Sequence, residues 1–600
     1  MKVIKRDGRV VDYDKSKIKI AIEKANKEVG KKEKATKEDI KNITEYIEEL
    51  NKKRILVEDI QDIIEQKLME LGRYELAKKY IVYRYTRALI RKSNTTDASI
   101  LGLIRNANRN IDNKNAIMAY TQRNLIVGEV SKDLSKRILL PEKIVKAWDE
   151  GALYFHNAEY FIQPIINSCF VKMDDMLDNG TMINDKMIET PKSFQVACIV
   201  MTQIISNIAC NQYGEQIIDI GCLGKYLRKS KEKFEKELLQ NLGENLNENL
   251  IKKIVDLKIK LELKAGIQTI QYQINTQLEC NPQVTFLLQL KENDEYIEEN
   301  EMIIQEVLEQ RRIGIKNELG ETIIPNTPKL LYVLNEQNCL NGGKYDYLTK
   351  KATEYSSKYG FPNYVSEKYE IEYKFNQGIV TINLPQIAII SEGNEENFWS
   401  ILEERLELCK DALMYRYYSL KNTTSDISPI HWRYGAISRL EKGEKIDQFL
   451  ESKFSNLYLG YLGISEMIKM MKGVSTSEQD GEKFAIKVIE YLKNKVLKWK
   501  KETNIGFELC GTVSEQVGKE LMQIDKENFG TIEGITNIDH YTNSYYINEE
   551  IDELQKLKIE SEIQKASDGI GYSLVNIKKI NNIEELIKTT FKTGQCIYIK

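Results

Sequence analysis

Residues 152–170 read ALYFHNAEYFIQPIINSCF and place His156, five Tyr or Phe rings and Cys169 within nineteen positions. A thiol in such a surrounding can serve as a nucleophile, a redox group or a hydrogen donor. It can equally pack as a small apolar side chain. A second group of reactive residues opens the chain: VIKRDGRVVDYDKSKI, residues 3–18. Asp7 and Gly8 suit a hairpin turn, Lys5 and Arg6 flank it, and Lys17 falls on the first turn of the helix that follows. Three cations and the free N–H groups of a helix start would converge on one spot, which suits a triphosphate.

Metal chemistry finds little support in the residue types. The nine cysteines include no CxxC pair, and the three histidines form no HExxH. The expectation is no zinc site. Cysteines scattered through a chain with no signal peptide also do not form a disulfide framework. Cys198 and Cys210 lie on the apolar stretch 193–210 and are expected to pack there. His431 and His540 stand in polar, loop-like contexts and receive no role.

The elements that must hold these groups divide the chain. Residues 1–92 read as a compact unit: a hairpin, a helix with Ile18, Ala21, Ile22 and Ala25 at helical spacing ending near Gly30, and three further helices. A linker follows over 93–112, and a long mixture of helices and strands fills 113–600. Residues 193–210 read as a buried helix, and 379–390, IVTINLPQIAII, as a strand buried on both faces that Pro385 ends or exits. The charged stretches 225–262 and 291–322 read as solvated amphipathic helices.

A chain of 600 residues exceeds one ordinary domain, and 42% hydrophobic with 30% charged residues marks a globular protein. The formal charge of −3, from 87 basic and 90 acidic residues, argues against broad nucleic-acid coating. No run approaches the ~18 apolar residues of a membrane span. The polar N-terminus lacks a signal peptide's apolar stretch. The expectation is a cytoplasmic protein with no membrane or nucleic-acid partner.

Val3, Lys5, Arg6, Asp7, Gly8, Lys17 and Ile18 stand where the ATP-cone, a regulatory nucleotide-binding module, carries its motif, and residues 1–92 resemble that module. The resemblance implies that Lys5, Arg6 and Lys17 bind the phosphates of ATP or dATP as an allosteric effector. Several later segments are similar to anaerobic (class III) ribonucleoside-triphosphate reductases, of the glycyl radical type. They are LYFHNAEYF…INSCF, TPKSFQVACIVMTQIISNIACNQYGEQ, GIQTIQYQINTQ, NQGIVTINLPQIAI, LGYLGISE and FGTIEGITNIDHYTNS.

That resemblance implies an α/β fold: a ten-stranded barrel of two half-sheets with a finger loop through its middle, usually in a dimer. It implies reduction of ribonucleoside triphosphates to deoxyribonucleotides by a thiyl radical fed from a glycyl radical. Cys169 would stand at the place of the family's strand cysteine, with Ser168 between it and Asn167, and Asn376 beside the substrate ribose. The finger-loop segment, however, reads YGFPNYVSEKYEIEYKFNQGIV, and no cysteine lies between Cys339 and Cys409. A zinc ribbon and a glycyl loop are expected after CIYIK and are not found before Lys600. The reading is therefore of a reductase-like chain without its own glycyl radical that does not turn over alone. A separate polypeptide carrying the radical domain, or a full-length reductase, would be its partner, with a radical-SAM activase in the same system. The alternative is a non-catalytic paralogue that senses ATP or dATP.

Overall fold

The structure, a computed structural model, describes residues 2–4, 10–27, 29–30, 32–50, 52, 54–82, 84, 96, 99–101, 103, 119–242, 248–277, 282–339, 342–369, 374–512, 514–542, 551–567, 571–580 and 582–599. The chain forms two compact units: residues 1–133 with 522–537, and residues 134–521 with 538–600.

In the first unit, strands β1 (Lys2–Ile4) and β2 (Val10–Asp12) pair antiparallel. A third strand that the sequence did not advertise, β3 (Arg54–Leu56), adds parallel to β1. Asp14 caps the helix Lys15–Asn26 by accepting from the Ser16 N–H. That helix stops before Gly30 because Asn26 trades two 2.9 Å hydrogen bonds with the Ala35 backbone, which draws the chain aside. Thr36 and Asp39 form a capping box on the helix Lys37–Glu49. Ile22, Ile43, Ile47, Ile64 and Leu68, spaced to share helix faces, close one core with the helix Val57–Glu70.

The second unit carries β4 (Leu153–Phe155), β5 (Ser168–Phe170), a hairpin of β6 (Thr181–Ile183) and β7 (Lys186–Ile188), β8 (Gln216–Asp219), β9 (Val284–Leu288), a hairpin of β10 (Ile315–Lys316) and β11 (Thr322–Ile323), and β12 (Lys329–Leu334). It continues with β13 (Asn363–Ser366), β14 (Phe375–Asn383), β15 (Ser455–Leu462), β16 (Phe507–Gly511), β17 (Ser573–Val575) and β18 (Cys596–Ile599). Ten of these follow one path, β16-β15-β14-β5-β8-β9-β12-β13-β18-β17, and β4 pairs with β14 beside it.

The strands β5, β8, β9, β12 and β13 run parallel. The strands β14, β15 and β16 run parallel to one another, as do β17 and β18. The five-stranded set meets the other two antiparallel, at β14–β5 and at β13–β18. This is the ten-stranded α/β barrel of two half-sheets. Among the described residues no ladder joins its ends, β16 and β17.

The continuous apolar run 379–390 does not remain one strand. It leaves the sheet at Asn383, whose side chain caps a helix, Leu384–Ile390, with Pro385 in its first turn. Outside the sheet, the helix Phe194–Ala209 is pressed against the helix Glu248–Thr276. A Cβ on Gly266 would lie 2.6 Å from the Phe194 ring, so only glycine allows this approach. The charged stretches do form helices, Gly224–Leu242, Glu248–Thr276 and Ile297–Ile313.

Candidate functional site

Strand register decides which residues look into the barrel. Directly opposed residues share a face, and successive residues alternate. On β5 and β14 the pairs are Cys169↔Phe375 and Ser168↔Asn376. Cys169 also opposes Gln216 of β8, and the Gln216 amide donates to the Ile205 carbonyl of the helix Phe194–Ala209 at 2.9 Å. Cys169 therefore faces the helix layer, while Ser168 and Asn376 face the interior. The resemblance puts Cys169 at the place of a strand cysteine and Asn376 beside a substrate ribose. The structure places them on adjacent strands but on opposite faces.

Further along β14, Val380 and Ile382 pack with Leu402, Leu406 and Leu413 of the helix Glu395–Leu420. Thr381, between them, points inward. The Asn376 Oδ1 accepts from the Gly378 N–H at 2.8 Å and pins a bulge, so that Asn376 opposes Asn456 and Gly378 opposes Leu457.

Cys169 belongs to a buried polar chain. The Gln212 amide nitrogen donates to the Gly214 and Glu215 carbonyls at 3.2 and 3.0 Å, which fixes its Oε1 as an acceptor. That oxygen receives the Cys169 thiol at 3.2 Å and His431 Nε2–H at 2.9 Å. His431 Nδ1 then accepts from the Ser428 hydroxyl at 2.6 Å. Burial holds the imidazole neutral, with a pKa lowered to about 3. Burial also pushes the Cys169 thiol well above its ordinary value. A protonated thiol bonded to an amide oxygen is poorly prepared for nucleophilic attack. His431 is not in a polar loop as its sequence context suggested. The turn Pro429–Trp432 tucks it wholly inside.

A second chain of polar groups crosses the interior face. His156 Nε2 lies 2.8 Å from the Thr381 hydroxyl, which lies 2.6 Å from that of Thr512. Gly460 of β15 sits between them: a Cβ there would be 2.2 Å from the Thr381 oxygen and 2.5 Å from that of Thr512. The His156 pKa is lowered to about 3, first by burial and then by the Arg416 guanidinium. Arg416 donates to the His156 carbonyl and lies 4.0 Å from the Phe155 ring centre.

Sequence reasoning passed over Cys510. In FELCG, Phe507 and Leu509 join the helix-side core, and Glu508 and Cys510 take the inward face. The alternation of the strand carried that signal. Burial and then Glu508 push the Cys510 thiol up to about 12. On β18 Cys596 packs with Val333, Val365, Tyr369, Tyr572 and Tyr598. Cys198 is buried in the core as expected, whereas Cys210, read as packing, is disulfide-bonded.

Lys17 lies exposed on the first turn of its helix, 3.9 Å from Asp14. Lys5, Arg6, Asp7 and Gly8 lie outside the described residues. Among the described residues no group of three His, Cys, Asp or Glu side chains could hold a metal ion.

Comparison with known proteins resolves what this barrel is. Residues 108–600 match the family described as anaerobic ribonucleoside-triphosphate reductase. The chain belongs to that family. Residues 1–89 match the ATP cone domain. The anaerobic ribonucleoside-triphosphate reductase of Haemophilus influenzae is 31% identical over 592 residues, covering 91% of this chain and 82% of that protein. The Escherichia coli K12 protein of the same name is 27% identical over 616 residues, covering 94% and 84%. The solved anaerobic ribonucleotide reductase of Thermotoga maritima, with dATP bound in the specificity site, superposes at a TM-score of 0.63. It shares 14% identity and covers 85% of this chain and 91% of that one, a likeness of fold.

The connection between β13 and β14 is short. It comprises the eight residues 367–374, of which 370–373 lie outside the described residues, and its sequence contains no cysteine.

Proposed function

We propose that this chain takes part in ribonucleoside-triphosphate reduction as a nucleotide-responsive subunit that depends on a second polypeptide for the radical step. The carrying observation is the short, cysteine-free β13–β14 connection. The outward face of Cys169 supports it, since a thiol bonded to Gln212 beneath the helix layer is not presented to a ligand inside the barrel. Asn376, Ser168 and Thr381 remain on the inward face, where a ribose could be held. The N-terminal ATP-cone binds ATP or dATP, with Lys5, Arg6 and Lys17 on the phosphates and Asp7 and Gly8 in the same motif.

The subunit is a homodimer in the cytoplasm. Leu250, Leu257 and Leu261 of the helix Glu248–Thr276 are exposed in a stripe, as are Val196 and Ile199 of the neighbouring helix, which supports a helical dimer face. Among the described residues no helix is long and apolar enough to cross a membrane. A radical-SAM activase would act in the same system.

The test is anaerobic. The purified chain is expected to bind dATP, to lose about tenfold in affinity in Lys5→Ala or Lys17→Ala, and to show no reductase turnover by itself. Unaided turnover would refute the proposal. Pull-down from its native cells should recover a radical-bearing chain. A small polypeptide with CxxC pairs and a glycyl loop would mark a split reductase. The cysteine-free loop also favours a second reading, a non-catalytic sensor, which predicts recovery of a full-length reductase instead.

A further inference from the structure

Among the described residues no ladder joins the two ends of the barrel path. Beside one of them, β16, among the helices Gln479–Thr503, Glu553–Ser567 and Ile583–Thr593, and the turn after β13, lies a cavity of about 660 Å³. Its lining is strongly one-signed. Among the described residues that line it, Lys368, Lys493, Lys500, Lys565 and Lys592 stand against one carboxylate, Glu508. The chain as a whole is nearly balanced, with 87 basic and 90 acidic residues, so this is a local departure. Glu508 is itself engaged by Lys374 at 3.4 Å and Lys500 at 3.7 Å.

The lysines arrive from four separate elements, and Lys493 and Lys500 stand seven apart on one helix face. Like charges gathered from distant parts of a chain repel one another, and an anion between them relieves that repulsion. Lys565 rests against Glu562 at 2.7 Å, but both side chains are about half exposed. Such a surface pair is weak, and the ammonium is free to turn toward a stronger anion. The volume lies within the range of small-molecule sites, and a cleft of this size takes a compact ligand rather than a polymer.

We propose that this seam is a second anion site, taking a small polyphosphate, either free or carried on a nucleoside. It is separate from the N-terminal ATP-cone and does not rest on the function proposed above. Lysines supply point charges without imposing a planar geometry, which suits a flexible phosphate chain better than a carboxylate.

Inorganic tripolyphosphate is titrated calorimetrically into the full chain carrying Lys5→Ala and Lys17→Ala, which silences the N-terminal site. One bound equivalent is expected. Adding Lys565→Gln and Lys592→Gln should weaken it by about tenfold or more, while Lys565→Arg with Lys592→Arg keeps it. ATP in the same background separates the sources: tighter binding than tripolyphosphate assigns the site to a nucleotide, and equal binding to the phosphates alone.

Lysine acetylation with mass-spectrometric readout gives a test on the unsubstituted lining, where tripolyphosphate should protect Lys493 and Lys500. Absence of binding, unchanged affinity in the glutamine variant, or unprotected lysines would overturn the proposal. So would binding that appears only in Glu370→Gln with Glu372→Gln, because the chain's own carboxylates would then be the occupant.

Discussion

Lowering the pH from 7 to 5 should destabilise the barrel through His431, whose ring is fully buried between Gln212 and Ser428. Its pKa is lowered to about 3 in the fold by burial, against about 6.5 in an unfolded chain. The unfolded state therefore takes up a proton that the folded state refuses. The contribution is complete above about pH 6.5 and declines as the pH falls toward the folded value. At pH 5 the loss from this one group is about 2 kcal/mol. The partly buried His156, lowered in the same direction, adds to it. Four tryptophans, at 148, 399, 432 and 499, all lie in the barrel unit, so their fluorescence during urea unfolding reports that unit alone. His431→Gln should remove about 2 kcal/mol from the difference in stability between pH 7 and pH 5. With only three histidines in the chain, selectively labelled imidazole spectra give a second readout: His431 should stay neutral to pH 5 with its proton on Nε2. A normal titration of His431 near pH 6.5, or an unchanged pH dependence in His431→Gln, would refute the reasoning.

Gly460→Ala should destabilise the barrel by about 2–5 kcal/mol, because its Cβ collides with two buried hydroxyls and breaks their hydrogen bond. Thr381→Ala in the same chain should restore part of that loss, and additive effects in urea melts would contradict the contact. Cys169 should resist iodoacetamide in the native protein and react only after denaturation, as read by peptide mass spectrometry. Labelling of the folded chain would show that the thiol is not held under the helix layer. Leu257→Arg with Leu261→Arg should shift the proteins from dimer to monomer in sedimentation without changing the circular dichroism. An unaltered sedimentation coefficient would remove these helices from the interface.

Much of the architecture was legible because it is written locally. Ile18, Ile22 and Ala25 mark the buried face of one helix, Asp14 and Thr36 cap two helices, and the mostly apolar composition of residues 194–209 points to a helix with a broad buried face. The motifs shared with the reductase family identified the barrel, and the absence of a cysteine between 339 and 409 is a property of the sequence alone. Faces and pairings are another matter. A one-residue difference in register reverses every side chain of a strand, so only the pairing Ser168↔Asn376 could turn Cys169 away from the interior. Pro385 signalled an end to β14, but the Asn383 cap is what made the next residues a helix. His431 reads as a loop histidine because a short segment with Ser428, Pro429 and Gly435 around it carries no helix or strand period. It is buried because Gln212, 219 positions away, meets it in space. Likewise the lysines of the seam lie far apart in sequence and share a cavity only because β16, three helices and the turn after β13 meet in space. Local pattern is set by side-chain chemistry at short range, whereas these sites are set by contacts between distant segments, which a one-dimensional pattern does not encode.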